Sequence, residues 1–592
     1  MTPIEVICRL PGDAAALMRF TAPARIIVAA AAAEVEPALA AAEKAARDGN
    51  FVAGMVAYEA APAFDPAFKV RPAGNFPLVW FAVFPNPPQP FVPAAPTVAE
   101  QHPHRTTALL PPPLHSDTER TAYHRRIATI LAHIAAGDIY QVNYTIRVRG
   151  RGETPATAAL FAELYRCHPV PEAAFIDTGT FRLLSLSPEL FLERQGRMVR
   201  SVPMKGTAPR ELDATADLAA AAALADDEKN RAENLMIVDM VRNDLGRVCD
   251  PGSIVADPLF QVETFRTVHQ MTGTVRGRLR AAVTLPELFA ATFPAASITG
   301  APKVRAMEII HAVEPTPRRA YTGTVGCLIP GGDCRFNVAI RTLTEQQGKY
   351  ELGVGGGIVA DSQPEAEWAE ARLKSAFAAV PPLPPFQVLE TMLYRRRGGW
   401  SMREEHLARL ARSQRYFGRP FDRAAVIAHL DGLTIAADCA RVRLTLDRNG
   451  RPATTVVPLT QPGWSRPRLI VGLAATGLSR REVFLYHKTT RRDWYDHIHR
   501  RGLDAGCDDI ICYNTAGELT ESCIANLFIH RRGVWLTPAL KCGLLPGLWR
   551  QRTMTELDAR EAVLTADDLA AAETILLGNS VRGGAEVERL VR

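Results

Sequence analysis

Neither a helix nor an inner strand can run through Pro381–Pro385, where four of five residues are proline. Proline fixes φ and removes an amide donor, so such a run is an extended, stiff connector. A helical pattern precedes it and the strand-like Phe386–Arg395 follows. We expect two bodies, residues 1–378 and 386–592, joined by a linker over 379–385. A chain of 592 residues is also too long for one core. A second proline-rich stretch, Pro85–Pro113, reads as a loop that sets an N-terminal subregion apart.

Lys and Arg number 69 against 63 Asp and Glu, a net +6 that calls for neither nucleic acid nor an anionic membrane. The apolar run Ile26–Ala33 ends at Glu34, whereas a membrane span needs roughly 20 residues. The start of the chain lacks the basic, then apolar, pattern of a signal peptide. Ten cysteines stand apart without a CxxC pair, which reads as reduced thiols of a cytoplasmic protein rather than disulfides or zinc.

Helical spacing of Tyr123, Ile127, Ile130, Leu131 and Ile134 predicts a helix that stops at Gly137. Val142, Tyr144, Ile146 and Val148 alternate as in a strand. Leu235, Val238, Val241 and Leu245 share one face of a second helix. Residues 351–361 read as a strand interrupted at Gly355–Gly357, and Pro364 opens a helix. Two apolar runs around Arg531–Gly533 predict a hairpin. Strands and helices are therefore mixed in both parts.

In the helix after Pro364, Glu367, Glu370 and Lys374 are spaced i, i+3, i+7 and share a face, with Trp368 and Leu373 pointing elsewhere. Three glycines upstream permit close backbone approach to a ligand. Ser297–Glu308 runs a Gly-Ala-Pro turn into a helix start, whose free amides suit an anion. Arg341, in a strand pattern, can take a carboxylate with both arms. Together these suit a small polycarboxylate held partly through a divalent metal, and oxygen-only ligands favour Mg²⁺.

The segments IYQVNYT, LSPELFL, VPMKGTAPR, RAENLMIVDMVRNDLGRV, FPAASITGAPKVRAMEII, NVAIRTL and GVGGGIVADSQPEAEWAEARLK follow one another between Tyr123 and Lys374. In that order they resemble the chorismate-utilising family of anthranilate, aminodeoxychorismate, isochorismate and salicylate synthases. The resemblance implies an α/β (α+β) first domain with two large antiparallel sheets. It assigns Mg²⁺ to Glu233 and Glu370, with Glu367 nearby. It assigns substrate contacts to Arg341, Lys374, Ser297, Thr299, Gly300, Gly356 and Gly357. Lys205 stands where aminodeoxychorismate synthases carry lysine and anthranilate synthases carry alanine. The implied chemistry is attack of Lys205 on the chorismate ring with loss of the 4-hydroxyl, protonated by Glu189. Ammonia then displaces the lysine from C4. Two departures stand out. Gln270 takes the place of a family histidine, with His269 one residue off and expected on the opposite side. Ala295-Ala296 replaces a Gly-Gly pair. The chain shows no Cys-His-Glu glutaminase of its own, so a separate glutamine amidotransferase subunit is implied.

In the second part Lys488 is followed 33 residues later by Glu521, with Arg409 upstream in EEHLARLARS. This part resembles the class IV pyridoxal-phosphate-dependent transaminase and lyase family, a fold-type IV domain. The resemblance makes Lys488 the residue that carries pyridoxal 5′-phosphate and Glu521 the partner of its pyridine nitrogen. Arg409, Leu548, Trp549 and Ser580 would hold the phosphate. The family's usual first strand is missing, leaving that start to be completed by the first part or by a second protomer. A homodimer formed through this part is compatible with the resemblance. Fusion of the two halves implies one bifunctional folate-pathway enzyme that makes 4-aminobenzoate from chorismate. The rival reading is an anthranilate-synthase-like domain fused to a general class IV transaminase.

Overall fold

The computed structural model describes residues 4–12, 16–93, 111–152, 156–379 and 383–591. They fall into two compact units. The first joins Met1–Pro209 to Ala221–Pro384, and the second joins Pro385–Arg592 to the segment Arg210–Ala220. Most of the expected Pro85–Pro113 loop, residues 94–110, lies outside the described residues, while Gln89–Phe91 is a short strand.

The first unit is built on the two large antiparallel sheets that the resemblance implies, one of ten strands and one of nine among the described residues, with helices packed on them. The helix Arg120–Ala135 forms as read and buries Tyr123, Ile127 and Ile130. Gly137 ends it at φ +78°. The strand Gln141–Arg151 also forms, and Val142, Tyr144, Ile146 and Val148 enter a core cluster. Its polar row is buried as well: Gln141, Asn143, Thr145 and Arg147 are all below 9% exposed.

That second face is covered by an ionic network. Glu314 accepts hydrogen bonds from the Thr145 amide (2.9 Å), the Thr145 hydroxyl (2.8 Å) and Arg318 Nη2 (2.7 Å). Arg318 also donates to the carbonyls of Asn143 (2.7 Å) and Ile298 (2.9 Å). Both side chains are nearly inaccessible, so each charge depends on the other for its solvation. Replacing Arg318 with methionine should lower the unfolding free energy by about 3–5 kcal/mol, because buried Glu314 keeps only the longer contact to Arg147, at 3.8 Å, as a cation partner. Urea unfolding of the two proteins checks this. An unchanged midpoint would show that the network is dispensable.

Three readings need correction. Leu235 does not lie on the buried face of its helix, Glu228–Gly246; it is 42% exposed, and Asn234 and Ile237 take that face with Val238, Val241 and Leu245. The strand Lys349–Ile358 is not interrupted at the glycines. Its ladder with Gln141–Arg151 is continuous, with Gly355 opposite Thr145 and Gly357 opposite Asn143. Arg341 is not in a strand: it precedes Thr342–Gln346 at φ +48°, a conformation that costs a non-glycine residue about 1 kcal/mol or more.

The second unit has a four-stranded antiparallel sheet around Val388–Arg395 and Cys439–Leu446, and an eight-stranded mixed sheet. In the latter Arg468–Leu473 runs parallel to both Asp509–Tyr513 and Gly583–Val591. The expected hairpin pairs Asn526–Arg531 with Val534–Pro538 across Arg532 (φ +51°) and Gly533 (φ +74°), as a two-residue turn between twisted strands requires. All ten cysteines are free and buried. Among the described residues no helix is long and apolar enough to cross a membrane.

Candidate active sites

In the first unit the strand Met204–Pro209 pairs with Val268–Thr272, and its register shifts between Met204 and Thr207. Lys205 and Gly206 sit in that bulge, Gly206 at φ +91°. A bulge of this kind re-aims a side chain, here turning Lys205 inward. A Cβ on Gly357 would stand 2.4 Å from Lys205 Nζ, so a side chain there would displace the amine from its present position. A Cβ on Gly356 would meet Glu367 Oε2 at 3.2 Å, with Lys374 Nζ and Glu370 Oε1 next at 3.8 and 3.9 Å. The uncorrugated glycine strand thus floors the site that the expected residues surround.

Burial lowers the pKa of Lys205, opposed first by the charge of Glu233. Burial raises Glu189 to about 7, partly offset by the hydroxyl of Ser297 and the amide of Met204. A desolvated amine and a carboxyl protonated near neutrality therefore lie within electrostatic reach of each other. If Glu189 donates a proton, the first reaction should slow as pH rises through about 7, where its acid form is lost. Glu189→Gln should lower that rate by roughly 10²–10⁴-fold. Rate–pH profiles check both, and a profile unchanged by the substitution would remove Glu189 from the chemistry.

Burial also raises Glu233 and Glu367. Glu370 is lowered by Lys374, whose ammonium lies 2.6 Å from its Oε1 and donates to the Gly355 carbonyl at 3.0 Å. Ser362 donates to Glu367 at 2.7 Å. Each of these acids feels Glu370 or Lys205, so they form one electrostatic group, but among the described residues no three are gathered closely enough to hold a metal by themselves. Glu233 and Glu370 offer only oxygen donors, the type a hard divalent ion takes.

Ser297, Thr299 and Gly300 occupy a short turn and strand start bonded to Gln141–Asn143, and all are buried. Gly300, at φ +148°, approaches the Gln141 carbonyl where a Cβ would sit 2.2 Å away. Thr299 donates to the carbonyls of Ala295 (3.1 Å) and Ala296 (3.3 Å), so the Ala-Ala pair is closed by a side chain. Burial pushes the Arg341 guanidinium down to about 10, and its Nη2 donates to Gln270 Oε1 at 3.3 Å. His269 instead bonds Thr264 Oγ1 at 3.0 Å. Gln270, noted only as a departure, thus touches a carboxylate-binding candidate.

Gln141 was missed as a site residue. It is fully buried, neither polar atom of its amide has a hydrogen-bond partner among the described residues, and its Nε2 lies 2.9 Å from where a Gly357 Cβ would be, on the Lys205 side. The polar row of its strand was the available signal.

The second unit holds a cavity of about 670 Å³ lined by Arg409, Lys488, Glu521, Leu548, Trp549 and Ser580, among others. Every residue assigned to the cofactor therefore meets in one place. Burial lowers Lys488 to about 8, helped by the charges of Arg409 and Arg492. Burial raises Glu521 to about 7, while it accepts bonds from Tyr495 (3.0 Å), Asn526 (3.1 Å) and the Leu545 amide (3.3 Å). Leu548 and Trp549 begin the helix Leu548–Glu556, which has no side-chain cap, so its first amides are open to an anion.

Arg409, which the resemblance sets to hold the phosphate, has donors already engaged within the protein. Its Nε and Nη2 grip Glu390 at 2.8 and 2.7 Å, and Nη1 donates to the Pro546 carbonyl at 3.1 Å. Burial would raise the Glu390 carboxyl, but Arg409 and His406 outweigh it and hold it well below the usual range. Glu390 was also missed. An acid between Val388 and Met392 in an inward strand row is a core charge and needs a buried partner.

A family profile described as chorismate binding enzyme matches residues 12–380, and one described as amino-transferase class IV matches residues 387–590. Aminodeoxychorismate synthase component 1 of Salmonella typhimurium is 42% identical over 272 residues, 46% of this chain and 60% of that protein. Aminodeoxychorismate synthase of Streptomyces griseus is 45% identical over 260 residues, 44% of this chain and 36% of that protein. The chain thus spans 36–60% of the length of these relatives. The crystal structure of anthranilate synthase component I from Streptococcus pneumoniae superimposes with a TM-score of 0.51 at 22% identity, covering 64% of this chain and 93% of that one, which speaks for the fold alone.

Proposed function

We propose a two-step synthesis of 4-aminobenzoate for this chain, which belongs to the chorismate binding enzyme family and carries an amino-transferase class IV domain behind it. We assign the first step to residues 1–378 and the second to 386–592. In the first, chorismate and ammonia give 4-amino-4-deoxychorismate. In the second, this is split into 4-aminobenzoate and pyruvate. The observation that carries the reading is Lys205, desolvated beside Glu189 on a glycine floor, in a chain that also brings Lys488 and Glu521 to one cavity.

In the first step the neutral amine of Lys205 forms a bond to a ring carbon conjugated with C4, the ring double bonds shift, and the C4–O bond breaks. Glu189 supplies the proton with which the hydroxyl leaves as water. Ammonia then bonds C4, the double bonds shift back, and Lys205 is released. The Gln141 amide, unpartnered beside Lys205, is placed to hold a polar group of substrate or ammonia. Arg341 and Lys374 face the substrate's carboxylates. Mg²⁺ held by Glu233 and Glu370 would neutralise one of these and fix the ring's orientation.

In the second step pyridoxal 5′-phosphate, when bound, supplies a sink for the electron pair left by the departing ring proton. Lys488 would hold the cofactor, and its amine is placed to move a proton from C4 of the ring to the leaving enolpyruvyl group. Glu521 keeps the pyridine nitrogen protonated. The helix start at Leu548–Trp549 and Ser580 seat the phosphate, and Glu390 locks the plane of Arg409 beside it. A separate glutamine amidotransferase would deliver ammonia, and the setting would be the cytoplasm. Supplying chorismate, ammonium, Mg²⁺ and pyridoxal phosphate to the purified chain tests this reading through its product.

A further inference from the structure

The cavity of the second unit holds more positive charge than its cofactor accounts for. Arg409, Arg441, Arg443, Lys488, Arg492 and Arg582 line it, against the single lining carboxylate Glu521. Arg409 is neutralised by Glu390 at 2.7 Å, and Arg492 by Asp496 at 2.7 Å. Lys488 and Glu521 face the cofactor. Arg582 lies against the Trp464 ring at 5.1 Å, two residues beyond Ser580, and is close enough to Arg441 for that charge to lower it after burial does. Among the described residues no carboxylate pairs with Arg441 or Arg443.

These two arginines alternate outward along Cys439–Leu446, so they stand about 7 Å apart on one face of the four-stranded sheet. Their cross-strand neighbours Thr391, Thr455 and Val457 line the same cavity, as do Leu389 and Thr445. The sheet face thus presents small or uncharged side chains and two exposed arginines toward the cavity. Their repulsion is screened by water while the cavity is open, and an anionic group seated between them would be attracted by both. The cofactor's phosphate does not serve, because its seat is the helix start at Leu548 with Ser580.

We propose that Arg441 and Arg443 form a carboxylate-recognition site that makes the second unit selective for an amine bearing two carboxylates. This deepens the two-step reading and rests on it. An amine with one carboxylate would leave at least one guanidinium without a partner. A dicarboxylate uses both, and a planar guanidinium fork suits each group. Selectivity then arises from the cost of the unmatched charge as well as from the gain of the matched one.

The test uses the full chain loaded with pyridoxal phosphate, with the cofactor's visible absorption reporting binding in the second unit. Chorismate has both carboxylates but no amine, so it binds the second unit without reacting there, and Lys205→Ala in every protein compared silences the first; 4-aminobenzoate has one carboxylate. We expect chorismate to bind the wild type at least tenfold more tightly than 4-aminobenzoate. In the double variant R441Q/R443Q that preference should vanish and KM for aminodeoxychorismate should rise at least tenfold, with kcat changed far less and the cofactor spectrum intact. R441K/R443K, which keeps the charge without the fork, should recover part of the preference. A double variant with unchanged chorismate binding would overturn the proposal, as would one that alters only self-association. A wild type that shows the preference yet cleaves no aminodeoxychorismate would support the dicarboxylate site and overturn the two-step reading alone.

Discussion

Lys205→Ala should stop formation of 4-amino-4-deoxychorismate, by on the order of 10⁴-fold or more, while added 4-amino-4-deoxychorismate is still cleaved to 4-aminobenzoate. The size of the effect follows from the covalent role: without the amine there is no group to displace the 4-hydroxyl, and the binding residues alone do not replace a nucleophile. The sparing of the second reaction follows from the separation of Lys205 and Lys488 into different units. Alanine also removes a buried amine that opposes the charges of Glu233 and Glu370, so the variant's thermal stability belongs in the same experiment. Full synthase activity in a folded variant would refute covalent catalysis through Lys205. Anthranilate as the new product would instead show that Lys205 chooses the carbon at which nitrogen enters.

The second large effect concerns Lys488. Lys488→Ala should abolish release of 4-aminobenzoate and let 4-amino-4-deoxychorismate accumulate from chorismate and ammonium. Among side chains, a lysine amine is the one that condenses with an aldehyde to a reducible carbon–nitrogen double bond, and the Lys488 amine is lowered to about 8, so a substantial neutral fraction is present near pH 8. As pH falls below that value the ammonium form returns, so attachment of cofactor to the free protein should weaken toward pH 6. Borohydride reduction of the loaded protein followed by peptide mapping should mark the peptide that holds Lys488. A label on another lysine, or none in a cofactor-saturated sample, would overturn the assignment of the second unit.

The parts of the fold that were legible in the sequence are those where local pattern and burial agree. Tyr123, Ile127 and Ile130 repeat at helical spacing and enter the core together. The turn at Arg532–Gly533 is forced by two apolar runs with one glycine between them. Pattern failed where the environment was supplied from far along the chain. Leu235 and Ile237 are equally apolar, and only the packing of the helix decides which is covered. The glycines 355–357 looked like a break because glycine weakens strands, yet pairing with Gln141–Arg151 holds them straight and their missing side chains make the site.

The site divides the same way. Lys205, Glu189, Lys488 and Glu521 stand out through the segments around them; Lys205 and Glu189 lie within electrostatic reach of each other, and Lys488 and Glu521 line one cavity. Gln141 and Glu390 did not, because a polar residue in an alternating strand is ordinarily read as wet. Their burial depends on Gly357 and Lys205 in one case and on His406 and Arg409 in the other, none of them neighbours in sequence. Arg441 and Arg443 look like ordinary outward strand charges, and only the cavity in front of them gives them a task.

The account turns on what the purified chain makes from chorismate, ammonium, Mg²⁺ and pyridoxal phosphate, resolved by chromatography and mass. It predicts 4-aminobenzoate and pyruvate in equal amounts, with glutamine replacing ammonium only when a glutaminase partner is added. Anthranilate as the main product would contradict it.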